Sequence, residues 1–229
     1  AASVSLTVNA VNDAPVLALI NPVEFNEDGS SGSISLSATD DDTDDTQSFS
    51  ITEGSDITPT LSGSDLSFSA PANYNGSENF TITVEDGGGL TDTQIITVTV
   101  LAVNDAPVAT TGLSGTGDED QSISVLLSGS DVDGDVLTYS ITSDPTNGTI
   151  EISGSNAVYT PTANYNGADS FEFTVTDSDD DTPLSDAASV SLTVNAVNDA
   201  PVLASVSYVS FDEDGSGSTS ISASDVDGD

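Results

Sequence analysis

The pentapeptide Val-Asn-Asp-Ala-Pro occurs at Val11–Pro15, Val103–Pro107 and Val197–Pro201, with successive copies starting 92 and then 94 residues apart. A period of that size is the chain length of one small β-sandwich domain. The proline cannot donate to a β-ladder and presses the residue before it towards extended backbone, so each copy reads as a stiff, extended joint between domains. A longer duplication overlaps the pattern: Ala1–Ala18 recurs unchanged as Ala187–Ala204.

Within each period the same signals come in the same order. An acidic turn (Asn26–Asp28, Asp118–Asp120, Asp212–Asp214) precedes an alternating run such as Ile34, Leu36 and Ala38, or Ile123, Val125 and Leu127. An Asp-rich loop follows, with Asp40, Asp41, Asp42, Asp44 and Asp45 in the first repeat, Asp131, Asp133 and Asp135 in the second, and Asp225, Asp227 and Asp229 in the third. After further short strands comes an Ala-Asn-Tyr-Asn-Gly turn at Ala72–Gly76 and Ala163–Gly167, its glycine suited to positive φ and its tyrosine to tying down a corner. A long hairpin closes the repeat, Phe80–Val84 with Ile95–Val100 and Phe171–Val175 with Val190–Val194, around an acidic turn. Apolar residues at period two mark half-buried strands, and about seven short strands without helical periodicity predict an all-β chain of immunoglobulin-like sandwiches arranged end to end. The expected division is 1–10 as the last strand of a preceding repeat, 11–102 and 103–196 as complete repeats, and 197–229 as the start of a following one. A piece of about 30 residues buries no core of its own, so both ends read as cut from a longer protein.

The 229 residues carry 39 Asp and Glu and no Lys, Arg or His, a net charge of −39. No cationic side chain exists to pair with a carboxylate, so the acids stay hydrated and apart or are neutralised by bound cations. Nucleic acid and anionic membrane surfaces are excluded as partners, because both are bound through Lys and Arg. High charge with 5% aromatic residues also suits disorder; the regular alternation of apolar residues argues against it. Without cysteine there are no disulfides and no zinc–thiolate site. No apolar run approaches the length of a membrane span. Without His, Cys, Lys or Arg, catalysis is restricted to carboxylates, Ser, Thr and Tyr, and a site repeated in every module is unlike an active site. No enzyme is expected. Lysine-dependent isopeptide crosslinks are excluded outright.

In a sandwich that the polypeptide enters at one pole and leaves at the other, the acids gather at the joints. The expected metal ligands are Asn12, Asp13, Glu27, Asp40, Asp42 and Asp86 in the first repeat, and Asn104, Asp105, Glu119, Asp131, Asp133 and Asp177 in the second. Asn198, Asp199, Asp225 and Asp227 continue the series in the third. Calcium takes six to eight oxygens from carboxylates, amides, carbonyls and water, and these joints supply them; magnesium demands a tighter octahedron and holds its waters. Any single Asp-rich loop has a plainer reading as a solvated turn, since Asp and Gly suit turns. Repetition beside each Asn-Asp linker favours metal. Asp44, Asp45 and Asp179–Asp181 are expected to be hydrated surface.

The repeat resembles a cadherin repeat, and more closely the cadherin-like tandem repeats of large bacterial surface adhesins exported by type I secretion. The likeness rests on Glu27, Glu119 and Glu213 near the first strand, on Ala38-Thr39-Asp40-Asp41-Asp42 and its counterparts, on Asp86 and Asp177 at the hairpin turn, and on Asn-Asp followed by Ala-Pro in the linker. The resemblance implies two or three calcium ions per joint and an extracellular, cell-surface location. Two departures remove charge. Ala10, Ala102 and Ala196 stand where the cadherin linker opens with Asp, and Asn73 with Asn75, and Asn164 with Asn166, align with an acidic pair.

The leading function is therefore a calcium-stiffened stalk or filament of an adhesin, whose partners are calcium, neighbouring repeats of the same longer protein, and like filaments or glycan targets at a cell surface. The alternative is a sandwich that itself binds carbohydrate or a homophilic partner. Against it, sugar platforms use exposed aromatics, whereas this sequence has no Trp and places most of its five Tyr and seven Phe at alternating or corner positions.

Overall fold

The structure, a computed structural model, describes residues 3–9, 11–42, 45–178 and 183–228, and these contain strands and turns with no helix. No helix among them is long and apolar enough to cross a membrane. The protein divides into two compact units, Ala1–Val103 and Asn104–Asp229.

In the first unit, β1 (Val16–Leu17) pairs with β4 (Ala38–Thr39). A four-stranded sheet runs in the order β2 (Val23–Asn26), β9 (Thr91–Leu101), β8 (Gly76–Glu85), β5 (Ser48–Ile51). Facing it is a three-stranded sheet, β3 (Ile34–Ser35), β7 (Asp65–Ser69), β6 (Thr58–Ser62). Alternation decides which faces meet. Phe80, Ile82 and Val84 on β8 and Ile96, Val98 and Val100 on β9 are fully or almost fully buried, and Phe68 of the facing sheet sets its ring 5.0 Å from that of Phe80. Each of these aliphatic or aromatic groups contributes about 1.5–3 kcal/mol when removed from water.

The second unit repeats the plan. β10 (Val108–Ala109) pairs with β13 (Gly129–Ser130). One sheet is β11 (Ser114–Asp118), β18 (Ser185–Asn195), β17 (Gly167–Thr176), β14 (Thr138–Ser143), and the other is β12 (Ile123–Leu126), β16 (Asn156–Pro161), β15 (Gly148–Ser153). In both units the first and last strands of the larger sheet run parallel, β2 beside β9 and β11 beside β18, while every other pairing is antiparallel. That parallel pair carries the polypeptide in at one pole of the sandwich and out at the other.

Among the described residues beyond Pro201 only β19 (Val202–Leu203) and β20 (Ala223–Ser224) pair, and both are exposed. Of the terminal strand expected over Ala1–Ala10, the described part, Ser3–Asn9, has no strand pairing among the described residues, and Val4, Leu6 and Val8 stand 85–93% exposed. Its identical copy within Ala187–Ala196 is held between β17 and β11. No corresponding partner strands flank Ser3–Asn9 among the described residues.

Candidate metal centres at the linkers

At the pole of each unit where its linker enters, the linker peptide is clamped by acids from two loops. Asn12 donates through Nδ2 to Asp86 Oδ2 at 2.9 Å, and the Asp13 N–H donates to Asp42 Oδ2 at 2.8 Å. The second unit repeats both bonds, Asn104 Nδ2 to Asp177 Oδ2 at 3.0 Å and Asp105 N–H to Asp133 Oδ2 at 2.7 Å. In the third linker the Asp199 N–H bonds Asp227 Oδ2 at 2.6 Å. The loop carboxylates are fixed in turn by Asx turns: the N–H of Asp42, Asp133 and Asp227 each reaches Oδ1 of the Asp two residues earlier, Asp40, Asp131 and Asp225, at 2.9 Å. Three copies of the sequence thus give three copies of one hydrogen-bond motif. In the first repeat Gly88 leaves room for the linker amide, since a Cβ there would stand 2.5 Å from the Asn12 amide group.

Asp86 and Asp177 are buried, about 5% exposed or less. Burial pushes the Asp86 carboxyl up, but the Asn12 amide and the backbone N–H groups of Leu90, Gly88 and Gly89 outweigh it and hold the group below the usual carboxylate range. Carboxylate oxygens of Asp40, Asp45 and Asp86 lie within 4.8 Å of one another, as do those of Asp131, Asp133 and Asp135. Asp45 is therefore not the hydrated surface residue expected from sequence: it is half-buried, and its Oδ1 accepts the Gly87 N–H at 3.0 Å. Asp44, Asp179–Asp181 and Asp229 lie outside the described residues.

At the opposite pole, Glu27 and Glu119 are also buried, and each accepts the N–H of the first linker valine, Val103 or Val197, at 2.6 Å. Beside them the Asn73 and Asn164 N–H groups donate to Asp28 Oδ1 and Asp120 Oδ1, which ties the Ala-Asn-Tyr-Asn-Gly turn to the acidic turn. The second unit shows the two poles meeting. Burial pushes the Asp199 carboxyl up, and the charges of Asp227, Asp120, Glu119 and Asp225 push it further the same way. That convergence joins the end of one sandwich to the start of the next segment. Among the described residues the Asn198 Nδ2 bonds the neighbouring Asp199 carbonyl and no carboxylate.

The donor set fits a hard cation. Oδ2 of Asp40, Asp131 and Asp199 is buried with no hydrogen-bond partner among the described residues, and in a protein without Lys, Arg or His such oxygens suit a hard cation or an ordered water.

Two further sets of acids escaped the sequence reading. Asp92 and Asp186 accept the N–H of Leu17 and Ala109 at 2.9 Å and anchor each linker's first strand pair to the closing strand. Glu78 accepts the N–H groups of Asp56, Ser55 and Ile57, and Asp169 those of Thr146, Asn147 and Ser170 together with the Tyr159 hydroxyl. For both, burial raises the pKa and the backbone hydrogen bonds lower it by more, so both carboxyls titrate below their ordinary values. Their signal was phase: Glu78 alternates with Phe80 and Ile82, and Asp169 with Phe171 and Phe173, so each is an acid on a core-facing stripe.

Two sandwiches in tandem, each with the first and last strands of its larger sheet parallel and with acidic poles, define a tandem repeat of immunoglobulin-like and cadherin-like domains. The chain belongs to the bacterial Ig domain family, which matches residues 12–99 and 104–193. It superposes on protocadherin gamma B2 extracellular cadherin domains 1–5 with a TM-score of 0.54 at 17% identity, over 82% of this chain and 42% of that one. On the protocadherin gammaB4 extracellular domain the TM-score is 0.54 at 19% identity, over 94% and 41%. On human CDH23 EC21–23 it is 0.54 at 16% identity, over 93% and 80%. The chain spans less than half the length of the two protocadherin structures, and at these identities the likeness is one of fold. No curated protein matched the sequence.

Proposed function

We propose that this protein is a segment of an extracellular stalk or filament of a bacterial surface adhesin, in which calcium bound at each Val-Asn-Asp-Ala-Pro linker stiffens one repeat against the next. The observation that carries the reading is Asp199. Its Oδ2 is buried without a partner, and Glu119, Asp120, Asp225 and Asp227 crowd the same carboxyl. Like charges gathered without any cationic side chain are stabilised by a divalent ion and repel without one. Glu119, Asp199, Asp225 and Asp227 would hold the ion at the third linker. The equivalent residues are Asn104, Asp105, Asp131, Asp133 and Asp177 for the second linker and Asn12, Asp13, Asp40, Asp42 and Asp86 for the first, with Glu27 the counterpart of Glu119.

Bound calcium would neutralise the gathered carboxylate charge. The protein's own residues set the geometry: Asp40, Asp131 and Asp225 fix the loop, and Asn12 and Asn104 orient the buried hairpin aspartate. Free in external fluid at high concentration and scarce in the cytosol, calcium would stiffen the repeats only after export, which suits the type I secretion of large adhesins. The neighbouring repeats of the same longer protein are then the immediate partners.

The test is a thermal melt followed by circular dichroism, with calcium titrated from chelator to about ten millimolar, since extracellular modules bind at about 10⁻⁴–10⁻³ M. At a hundredfold excess over Kd each site adds about 2.7 kcal/mol, which for repeats of this size raises Tm by roughly 10–20 °C. Equal magnesium should do much less, and Asp105→Ala should blunt the rise. A melting point indifferent to calcium would sink the reading.

A further inference from the structure

Three Asn-Gly dipeptides occur in the sequence, Asn75-Gly76, Asn147-Gly148 and Asn166-Gly167, and the fold treats them differently. Asn147 is locked: its N–H bonds Asp169 Oδ2 at 2.8 Å, and its carbonyl accepts both the Tyr159 hydroxyl at 3.0 Å and the Thr162 N–H at 2.8 Å. All three glycines lie against a tyrosine, a Cβ standing 2.5 Å from the Tyr159 ring at Gly148 and 2.8 and 3.1 Å from the Tyr74 and Tyr165 hydroxyls at Gly76 and Gly167, so the difference lies in the asparagines and their backbone bonds. Asn75 and Asn166 are instead exposed, and each is the last residue before a strand that begins at its glycine. Gly76 and Gly167 have φ of 156° and 136°, a region open to glycine and hardly to other residues.

We propose that Asn75 and Asn166 are sites of spontaneous deamidation and that Asn147 is protected. The glycine backbone nitrogen, unhindered by a Cβ, loses its proton to solvent and attacks Asn Cγ, forming a new bond from that nitrogen to Cγ; the Cγ–Nδ2 bond breaks and the amide nitrogen leaves as ammonia. Water then opens the succinimide at either carbonyl, giving Asp or isoaspartate. The sum is amide plus water to carboxylic acid plus ammonia, with no other reactant. Each event adds one negative charge to a turn that is already tied, through Asn73 or Asn164, to Asp28 or Asp120. Asp120 in turn acts on Asp199. Ageing therefore makes the pole of the repeat more acidic, and, on the calcium reading above, shifts its demand for cation.

The intact protein is incubated in mildly alkaline buffer, and amide loss at each asparagine is followed by peptide mapping and mass spectrometry. Conversion at Asn75 and Asn166 should run at least several-fold ahead of Asn147, and in denaturant the three should converge, which identifies the fold as the cause. Equal rates in the native protein, or amides at Asn75 and Asn166 that outlast that of Asn147, overturn the proposal. Aged wild type is then compared with an aged Asn75→Gln/Asn166→Gln double variant in the calcium melt. Conversion by mass with no calcium response in either sample leaves the modification standing and removes the calcium reading.

Discussion

The same eighteen residues occupy two places in this protein, and they fold differently in halves. In Ala187–Asn195 the alternating half lies in β18, with Val190, Leu192 and Val194 at most 3% exposed; in Ser3–Asn9 it is bare. The linker half reverses the contrast. Leu17 is 8% exposed in the first core, while its twin Leu203 is 63% exposed. Yet one polar contact of the linker survives in both settings, Asp199 bonding Asp227 as Asp13 bonds Asp42, and β19 pairs with β20 as β1 pairs with β4, while the Asn12–Asp86 bond has no counterpart at Asn198. The clamp between linker and Asp loop, spanning 28 or 29 residues, forms without a core behind it, whereas the strand forms only where neighbours supply a slot. Strand propensity is context, and Asx geometry is local.

The contrast is broken most forcefully at Leu192. Leu192→Ala should cost about 2–5 kcal/mol in denaturant unfolding of the second unit; a loss no larger than that of a surface change would mean that β18 is not the core strand described. Next comes the carboxylate on the core-facing stripe. Asp169→Asn should cost about 1–3 kcal/mol at neutral pH by disturbing its three N–H bonds and the bond from Tyr159. Because the folded carboxyl titrates below its ordinary value of 3.8, its contribution is complete above that pH and is lost as pH falls through the lower folded value. The variant should therefore show a flatter acid limb in stability against pH, and an unchanged limb would deny the role. On the proposed calcium reading, Glu119→Gln removes one charge and should weaken calcium half-saturation about tenfold, or about 1.4 kcal/mol, in a melt with calcium titrated. Leu6→Ala, at the position equivalent to Leu192, should change stability by no more than about 0.5 kcal/mol; a larger loss would show that Ser3–Asn9 has a partner in solution.

Much of the architecture was legible because the period-two runs were long and the linkers repeated. Phe80, Ile82 and Val84 point inward as their alternation requires, and Tyr165 ties its corner by bonding the Ala168 carbonyl at 2.7 Å. The meeting of each linker aspartate with its Asp-rich loop was legible because their spacing recurs three times. What sequence concealed was the partner of each acid. Asp45 looked like one more residue of a charged loop, and only folding sets it beside Asp86. Asp92 and Asp186 reach linker N–H groups 75 and 77 residues away, a pairing created by the return of the closing strand rather than by any local pattern.

The parallel pairing of β11 with β18 has a mechanical consequence. The ladder runs from Ser114 beside Ser191 to Asp118 beside Asn195, joining strands near the two ends of one repeat. Tension along the polypeptide draws those strands in opposite directions along their own axes, so the ladder is loaded in shear and its hydrogen bonds share the pull at once instead of parting one by one like a zip. A repeat built this way resists stretching most strongly along the direction in which a tethered fibre would be pulled.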